Sequence, residues 1–206
     1  MTDLSISWER DYSTRGRLWA GSLHNIPDLT TGARVLEMGC GSGTTLGAIL
    51  NRLWDVVAVD FSSKAAAMSR QVIDRNHRAD VIVTDARWLP FKDEAFDAVI
   101  AFHVIGHMLA HDRKLSSSEA ARVLNVGGSL LFRDFSINDF RYGKGDEIEC
   151  NTFRRGTGII THYFKEPEVT DLFCAFHRVS FSTRPWTMRV RGTNYIREEL
   201  EVIFKK

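Results

Sequence analysis

Three glycines and three acids of the 206-residue chain stand where short apolar runs end. The segment VLEMGCGSGTT (35–45) carries Glu37, Gly39, Cys40, Gly41 and Gly43. VVAVDFSS places Asp60, Phe61 and Ser62 behind a second run, and VIVTDA places Asp85 and Ala86 behind a third. Glycine admits the backbone angles of a tight turn and lets a ligand approach the main chain. A helix opening behind that turn offers free N–H groups. Asp60, 60 − 43 = 17 residues after the last glycine, sits where a carboxylate can accept both hydroxyl protons of a ribose. Asp85 is placed to meet an adenine amino group, and Ala86 to offer its N–H to the ring. One acid at a strand end is most often a solvated loop residue. Three in this order behind a glycine turn point to an adenine nucleoside.

The glycine spacing narrows the choice. A dinucleotide turn needs G-x-G-x-x-G or a final alanine. Here Gly39 and Gly41 are followed by Thr44 at the last position. Glu37, at the strand end, would repel a diphosphate but suits a ligand bearing an ammonium and a sulfonium. These residues point to S-adenosylmethionine, with S-adenosylhomocysteine as product, rather than to NAD.

A sulfonium methyl is already activated, so in-line positioning and desolvation can supply most of the acceleration. A ring-nitrogen acceptor needs no strong base, whereas a hydroxyl does. The acceptor end is expected beyond the fourth run, at Phe102, His103, Val104 and His107. His103, His107 and Asp134 are the candidate catalytic groups, although a histidine near a helix start more often packs or caps. Arg133 either holds a phosphate or carboxylate of the substrate or pairs with Asp134.

These residues need a scaffold of alternating strands and helices. Apolar runs at 33–38, 56–60, 80–85, 96–102 and 129–135 alternate with helical patterns at 44–54, 62–76 and 115–125. That rhythm means βαβ units and a parallel sheet with helices on both faces. The runs at 56–60, 81–83 and 98–101 lack alternation, as strands buried on both faces do. Residues 136–157 are polar and glycine-bearing, and read as a loop or insertion. A strand is expected at 158–164, and a helix at 167–176 with Pro167 in its first turn. Antiparallel strands are expected over 177–186 and 199–206.

Composition agrees with one globular domain. Hydrophobic residues make up 44% and charged residues 26%, with 27 Lys and Arg against 26 Asp and Glu. No stretch approaches the ~18 apolar residues of a membrane span. Cys40, Cys150 and Cys174 are an odd, widely spaced set that fits neither a zinc site nor a disulfide framework. Reduced thiols in a cytoplasmic monomer are expected. The chain is read as a single domain over 1–206: an N-terminal helical lid (1–32), a cofactor-binding core (33–135), and a substrate-side insertion with C-terminal strands (136–206).

The motifs VLEMGCGSGTT, VVAVDFSSKA, VIVTDARWLPFKDEAFDAVIAF and EAARVLNVGGSLLF, spread over about residues 33–133, resemble those of the class I S-adenosylmethionine-dependent methyltransferases. The resemblance implies a Rossmann-like α/β fold with a seven-stranded, mostly parallel sheet whose last strand is antiparallel. ELEVIFKK fits that strand. LLFRDFSINDFRYGKG and RRGTGIITHYFKEPEVTDLF are similar to the tRNA 3-methylcytidine methyltransferase branch. Arg133-Asp134-Phe135 matches its R-D-aromatic step, and Arg154, Gly156 and Thr157 approximate its R-x-x-G-T element. Trp8, Tyr12, Arg15 and Trp19 match its N-terminal pattern, which implies that Trp8, Tyr12 and Arg15 lie over the cofactor. Only seven residues precede Trp8, where the branch has a longer extension, and HVIGHMLAH follows generic members instead.

The partner is expected from the C-terminal part. Between Leu172 and Arg197 stand five arginines (178, 184, 189, 191 and 197) and no acid, with Trp186 and Tyr195 interleaved. Arg154, Arg155 and Lys165 lie upstream. A basic, aromatic face suits a nucleic-acid backbone, although charge runs are most often solvated. tRNA or another structured RNA is the expected partner, with Arg133, Arg154 and Arg155 binding substrate. A small-molecule methyltransferase is the alternative, in which 136–157 would close over an apolar pocket. A cofactor-binding scaffold subunit is the third reading.

Overall fold

The computed structural model of the chain describes residues 3–16, 26–74 and 78–206. Trp19 and the side chain of Arg15 lie outside the described residues. The elements run α1 (Asp3–Arg15), β1 (Arg34–Met38), α2 (Thr44–Ile49), β2 (Asp55–Asp60), α3 (Ser63–Arg70), β3 (Ala79–Val83) and β4 (Phe96–Phe102). They continue with α4 (Ala110–Val123), β5 (Leu124–Phe135), β6 (Asp146–Glu149), β7 (Thr152–Arg154), β8 (Ile160–His162), α5 (Glu166–Leu172), β9 (His177–Val190) and β10 (Thr193–Lys205). Seven strands form one sheet in the order β3-β2-β1-β4-β5-β10-β9. The strands from β1 to β5 pair in parallel, and β10 is antiparallel to both β5 and β9. The seven-stranded, mostly parallel architecture expected from the motifs is therefore present.

Side chains alternating along the strands feed two cores. Leu36, Met38, Val99, Ala101, Leu130 and Phe132 face one side, where Ala120 and Val123 of α4 and Val169 of α5 cover them. Val35, Ala98, Ile100 and Leu131 face the other, against Leu46 and Ile49 of α2 and Ala66 of α3. The period of two on each strand explains why continuous apolar runs were needed at β1 and β4. β3 departs from that expectation: it is the sheet's edge strand, and Val83 remains 45% exposed.

Other boundaries also move. The 44–54 helix stops at Ile49 and tightens into a 3-10 turn over Leu50–Arg52, closed by Leu53 at φ 59°. The 62–76 helix ends at Arg70. β5 begins earlier than expected, at Leu124, and takes in Gly127 and Gly128, with a register irregularity against β4. The polar segment 136–157 is not an open loop. Its β6 and β7 join β8 in a small antiparallel sheet. Strands of three or four residues with a DEIE composition carry too little apolar pattern to be read from sequence. Among the described residues, no helix is long and apolar enough to cross a membrane.

Arg133 belongs to the scaffold. It is 2% exposed on β5, directly opposite Glu201 of β10, and its Nη2 lies 2.9 Å from Glu201 Oε1. Glu199 stands 3.6 Å from its Nε, and the guanidinium lies 4.3 Å over the Phe102 ring. These ion pairs are with two glutamates of the next strand, and β5 alternation turns Arg133 and Asp134 to opposite faces. Removing one partner of such a pair strands buried charge and costs about 3–5 kcal/mol. Arg133→Ala is expected to lose that much in urea unfolding. A loss below about 1 kcal/mol would contradict the assignment.

Candidate active site

A cavity of ≈ 510 Å³ opens at the carboxyl ends of β1, β2 and β4, within the ~300–1,000 Å³ usual for small-ligand sites. One end is built by the glycine turn and β2. Gly39 lines it at φ 72°, and both Gly39 and Cys40 donate their N–H to Val59 O, at 2.8 and 2.9 Å. A Cβ on Gly39 would fall 2.5 Å from Val104, and one on Gly41 would fall 2.7 Å from the Tyr12 hydroxyl, so both positions need glycine. Gly43, at φ 82°, caps α2 against Ser69 and Val72, away from the cavity lining.

Asp60 ends β2 on the cavity wall. Its Oδ2 accepts the Gly41 N–H and its Oδ1 accepts the Ser62 N–H, each at 2.9 Å. Burial raises its pKa to about 6, against the lowering effect of those two amides. Phe61 lines the cavity beside it. Ser62 does not: its hydroxyl accepts from Ala65 N–H as the cap of α3 and donates to Glu9 of α1. Glu9 also receives Ser63 Oγ, at 2.6 Å. One carboxylate from α1 therefore sits on the amide-rich start of α3.

That bracket lays α1 over the cavity. Tyr12 is buried beside Asp60, which together with desolvation pushes its phenol above the ordinary range. Trp8 lies 5.7 Å from Tyr12 and 4.8 Å, edge-on, from His107, so the three rings roof one side. The Trp8 indole N–H is buried with no hydrogen-bond partner.

Several expected contacts fall elsewhere. Glu37 is 3% exposed and off the cavity wall. Burial and the nearby Asp60 raise its pKa to about 8, while Thr45 and the Leu46 amide hydrogen-bond it from α2. Its Oε2 is buried without a hydrogen-bond partner. Cys40 and Ala86 pack in the two cores. Phe102 lies beneath Arg133, away from the cavity lining. Asp85 does line the cavity, but Arg87 grips it through Nε and Nη2, at 2.9 and 2.6 Å. Burial raises the Asp85 pKa and Arg87 overrides it, for a net lowering. Arg87 also binds Asp112 at 2.9 Å and lines the cavity with it. Its D-x-R spacing was the available signal for this pair. Glu9 left no signal, because its partners are more than 50 residues away.

The opposite end holds the histidines. His103 adopts φ 51°, lines the cavity, stacks on Phe135 at 4.5 Å and places Nε2 3.1 Å from Glu199. Desolvation opposes its charging, but Asp134 and Glu199 prevail and raise its pKa to about 9. His107 Nδ1 lies 2.7 Å from Ile160 O; a carbonyl only accepts, so Nδ1 carries the hydrogen. Burial lowers the His107 pKa, leaving a neutral ring with an accepting Nε2. Asp134 is wholly buried and off the cavity wall. It accepts the Gly106 N–H at 2.7 Å and sits 3.7 Å from His103, so it positions rather than touches. Ile148, Arg154, Gly158 and Ile160 of the small sheet complete the wall, and Arg155 lies outside it, bonded to Thr161.

Residues 36–132 match the family model described as a methyltransferase domain. Over that span the chain is similar to a methyltransferase domain. It is similar to the tRNA N(3)-cytidine methyltransferase METTL2 of Gallus gallus, 29% identical over 74% of this chain and 44% of that protein. The METTL2 of Danio rerio is 30% identical over 72% of this chain and 45% of its own length. The chain thus spans less than half the length of these relatives. Among solved structures, a SAM-dependent methyltransferase of Methanosarcina mazei superposes with a TM-score of 0.74 at 24% identity, covering 89% of this chain and 99% of that one.

The cavity fits S-adenosylmethionine. A side-chain-free turn, a strand-end carboxylate with capacity to accept further hydrogen bonds, and an unpartnered indole N–H converge on it.

The raised pKa values of Glu37 and His103 have a consequence for stability. Above pH 7 the folded chain retains protons that the unfolded chain has released, so stability falls as pH rises to about 9. Urea midpoints of the ligand-free chain are expected to decline from pH 7 to 9, with Glu37→Gln flattening the decline. A wild-type midpoint that rises over this range would contradict the burial of these groups.

Proposed function

We propose that the chain transfers the sulfonium methyl of S-adenosylmethionine to a ring nitrogen of a base in tRNA. The observation that carries this reading is one cavity lined by both the Asp60 carboxylate and the neutral His107. The named activity of the METTL2 relatives supports tRNA cytidine as the substrate class.

When bound, the cofactor supplies a methyl already activated by its positive sulfur. Asp60, ionised above about pH 6, receives the ribose hydroxyls while the Gly41 and Ser62 amides hold it in place. Gly39, which lines the cavity, would let the methionine end approach the main chain. Trp8 and Tyr12 cover that end and exclude water, which strengthens every electrostatic contact inside. A ring nitrogen attacks through its own lone pair, so no group need remove a proton first. His107 Nε2 then acts by accepting a hydrogen bond from the exocyclic amine and turning the nitrogen toward the methyl. His103, held between Asp134 and Glu199, fixes the wall beside it.

A small-molecule acceptor is the second reading, favoured by the position of Ile148, Gly158 and Ile160. These place the 136–162 segment against the cavity as a wall. Transfer of tritiated methyl to total tRNA separates the two. Label in RNase-sensitive material, appearing as 3-methylcytidine after nucleoside digestion, is the expected result. No labelled RNA, with cofactor binding intact, would overturn the RNA reading in favour of a small acceptor.

A further inference from the structure

The segment linking β5 to the small sheet gathers more positive charge than its surroundings balance. The Phe140 ring is approached by Lys144 Nζ at 4.4 Å, by the Arg141 guanidinium at 5.5 Å and by that of Arg197 at 5.7 Å. Tyr195 stacks on it at 4.7 Å, and Lys144 also lies 5.4 Å over the Tyr195 ring. Arg155 is near enough to act electrostatically on Arg141 and on His107. Asp139 is the carboxylate of this group, and Arg197 takes it through Nε. Among the described residues, no ion pair engages Arg141, Lys144, Arg154 or Arg155. Arg141, Lys144, Arg155 and Arg197 thus gather about one carboxylate, Asp139, while Arg154 stands opposite Asp146 in the small sheet.

Hydrogen-bond donors are also left over. Arg155 Nε and Arg197 Nη2 are buried and have no partner. A buried charged donor left unsatisfied is costly, and crowding like charges adds to that. Burial and the neighbouring Arg197 and Arg155 together lower the Arg141 pKa. Such an arrangement persists where an anion completes it. Aromatic faces relieve part of the repulsion, but they accept no hydrogen bonds from the guanidinium edges.

The place of the cluster selects the anion. Arg154, the strand neighbour of Arg155, lines the methyl-transfer cavity on the His107 side. Planar, forked arginine donors match the oxygens of a phosphate. We propose that Arg141, Lys144 and Arg155 form a phosphate subsite that takes a backbone phosphate of the nucleotide chain whose base enters the cavity. The proposal rests on the nucleic-acid reading above. The five arginines of the C-terminal part contribute less to such binding than their number implies, because Arg178, Arg184 and Arg197 are paired with Glu166, Glu199 and Asp139.

Two arms test it on the full chain. In the first, inorganic phosphate is titrated at constant ionic strength while arginine Nε–H resonances are followed by NMR. A saturable shift at Arg155, lost in Lys144→Gln and Arg141→Gln, is the expected result. In the second, tRNA affinity is measured against salt. Each phosphate contact contributes roughly 0.7–0.9 to the log–log slope, so each of these variants should lower the slope by about 1 while S-adenosylhomocysteine affinity stays unchanged. Lys144 is exposed, so its replacement leaves the fold intact. The absence of a saturable phosphate shift, or a salt slope the same in variants and wild type, would overturn the subsite. tRNA methylation persisting beside that result would leave the function standing without it. A phosphate shift without any tRNA binding would support the subsite and overturn the nucleic-acid function, pointing to a free phosphorylated substrate.

Discussion

A carboxylate removed from water must find hydrogen-bond donors or give up its charge. Asp60 meets that constraint by accepting one amide from the glycine turn and one from the start of α3. Two separate loops are fixed to the end of β2 by a single side chain. The same two bonds hold the carboxylate so that its remaining acceptor capacity faces the cavity. Glu37 is buried close behind and is pushed toward its neutral form partly by Asp60. The glycine turn is therefore set between two carboxyl groups, one used outward and one used inward.

The roof depends on the same corner. Glu9 reaches from α1 to Ser62 and Ser63 beside the Asp60 contact, and Tyr12 lies against the Gly41 backbone. Ser7 of the same helix approaches Gly158, where a Cβ would fall 2.5 Å from its hydroxyl. Helix α1 is thus held by the cofactor side through Glu9 and by the small sheet through Ser7. The aromatic line from Tyr12 through Trp8 to His107 spans between the two ends.

The sheet was legible from sequence because its strands are apolar runs at regular intervals, the first three ending in a glycine or an acid. Asp60, Gly39 and Phe61 were placed for that reason, His103 and His107 by following the fourth run, and Trp8 and Tyr12 by the family resemblance; all line the cavity. The failures have a common cause. Motif position tells which strand end a residue occupies, not which way its side chain turns. Glu37, Cys40 and Phe102 stand at such ends without lining the cavity. Arg133 was read as a ligand because its partners, Glu199 and Glu201, are brought alongside only by the antiparallel pairing of β10. The small sheet was missed because its strands are short and polar, and because the cavity wall they form exists only when 146–162 folds back over His107.

The central claim is that Asp60 anchors a cofactor ribose in this cavity. Calorimetric binding of S-adenosylhomocysteine to wild type and to Asp60→Ala tests it most directly. Two hydrogen bonds to a charged group, at about 1.5–3 kcal/mol each, predict at least a tenfold loss of affinity in the variant, with the fold retained by circular dichroism. Equal affinity in a folded variant would contradict the account.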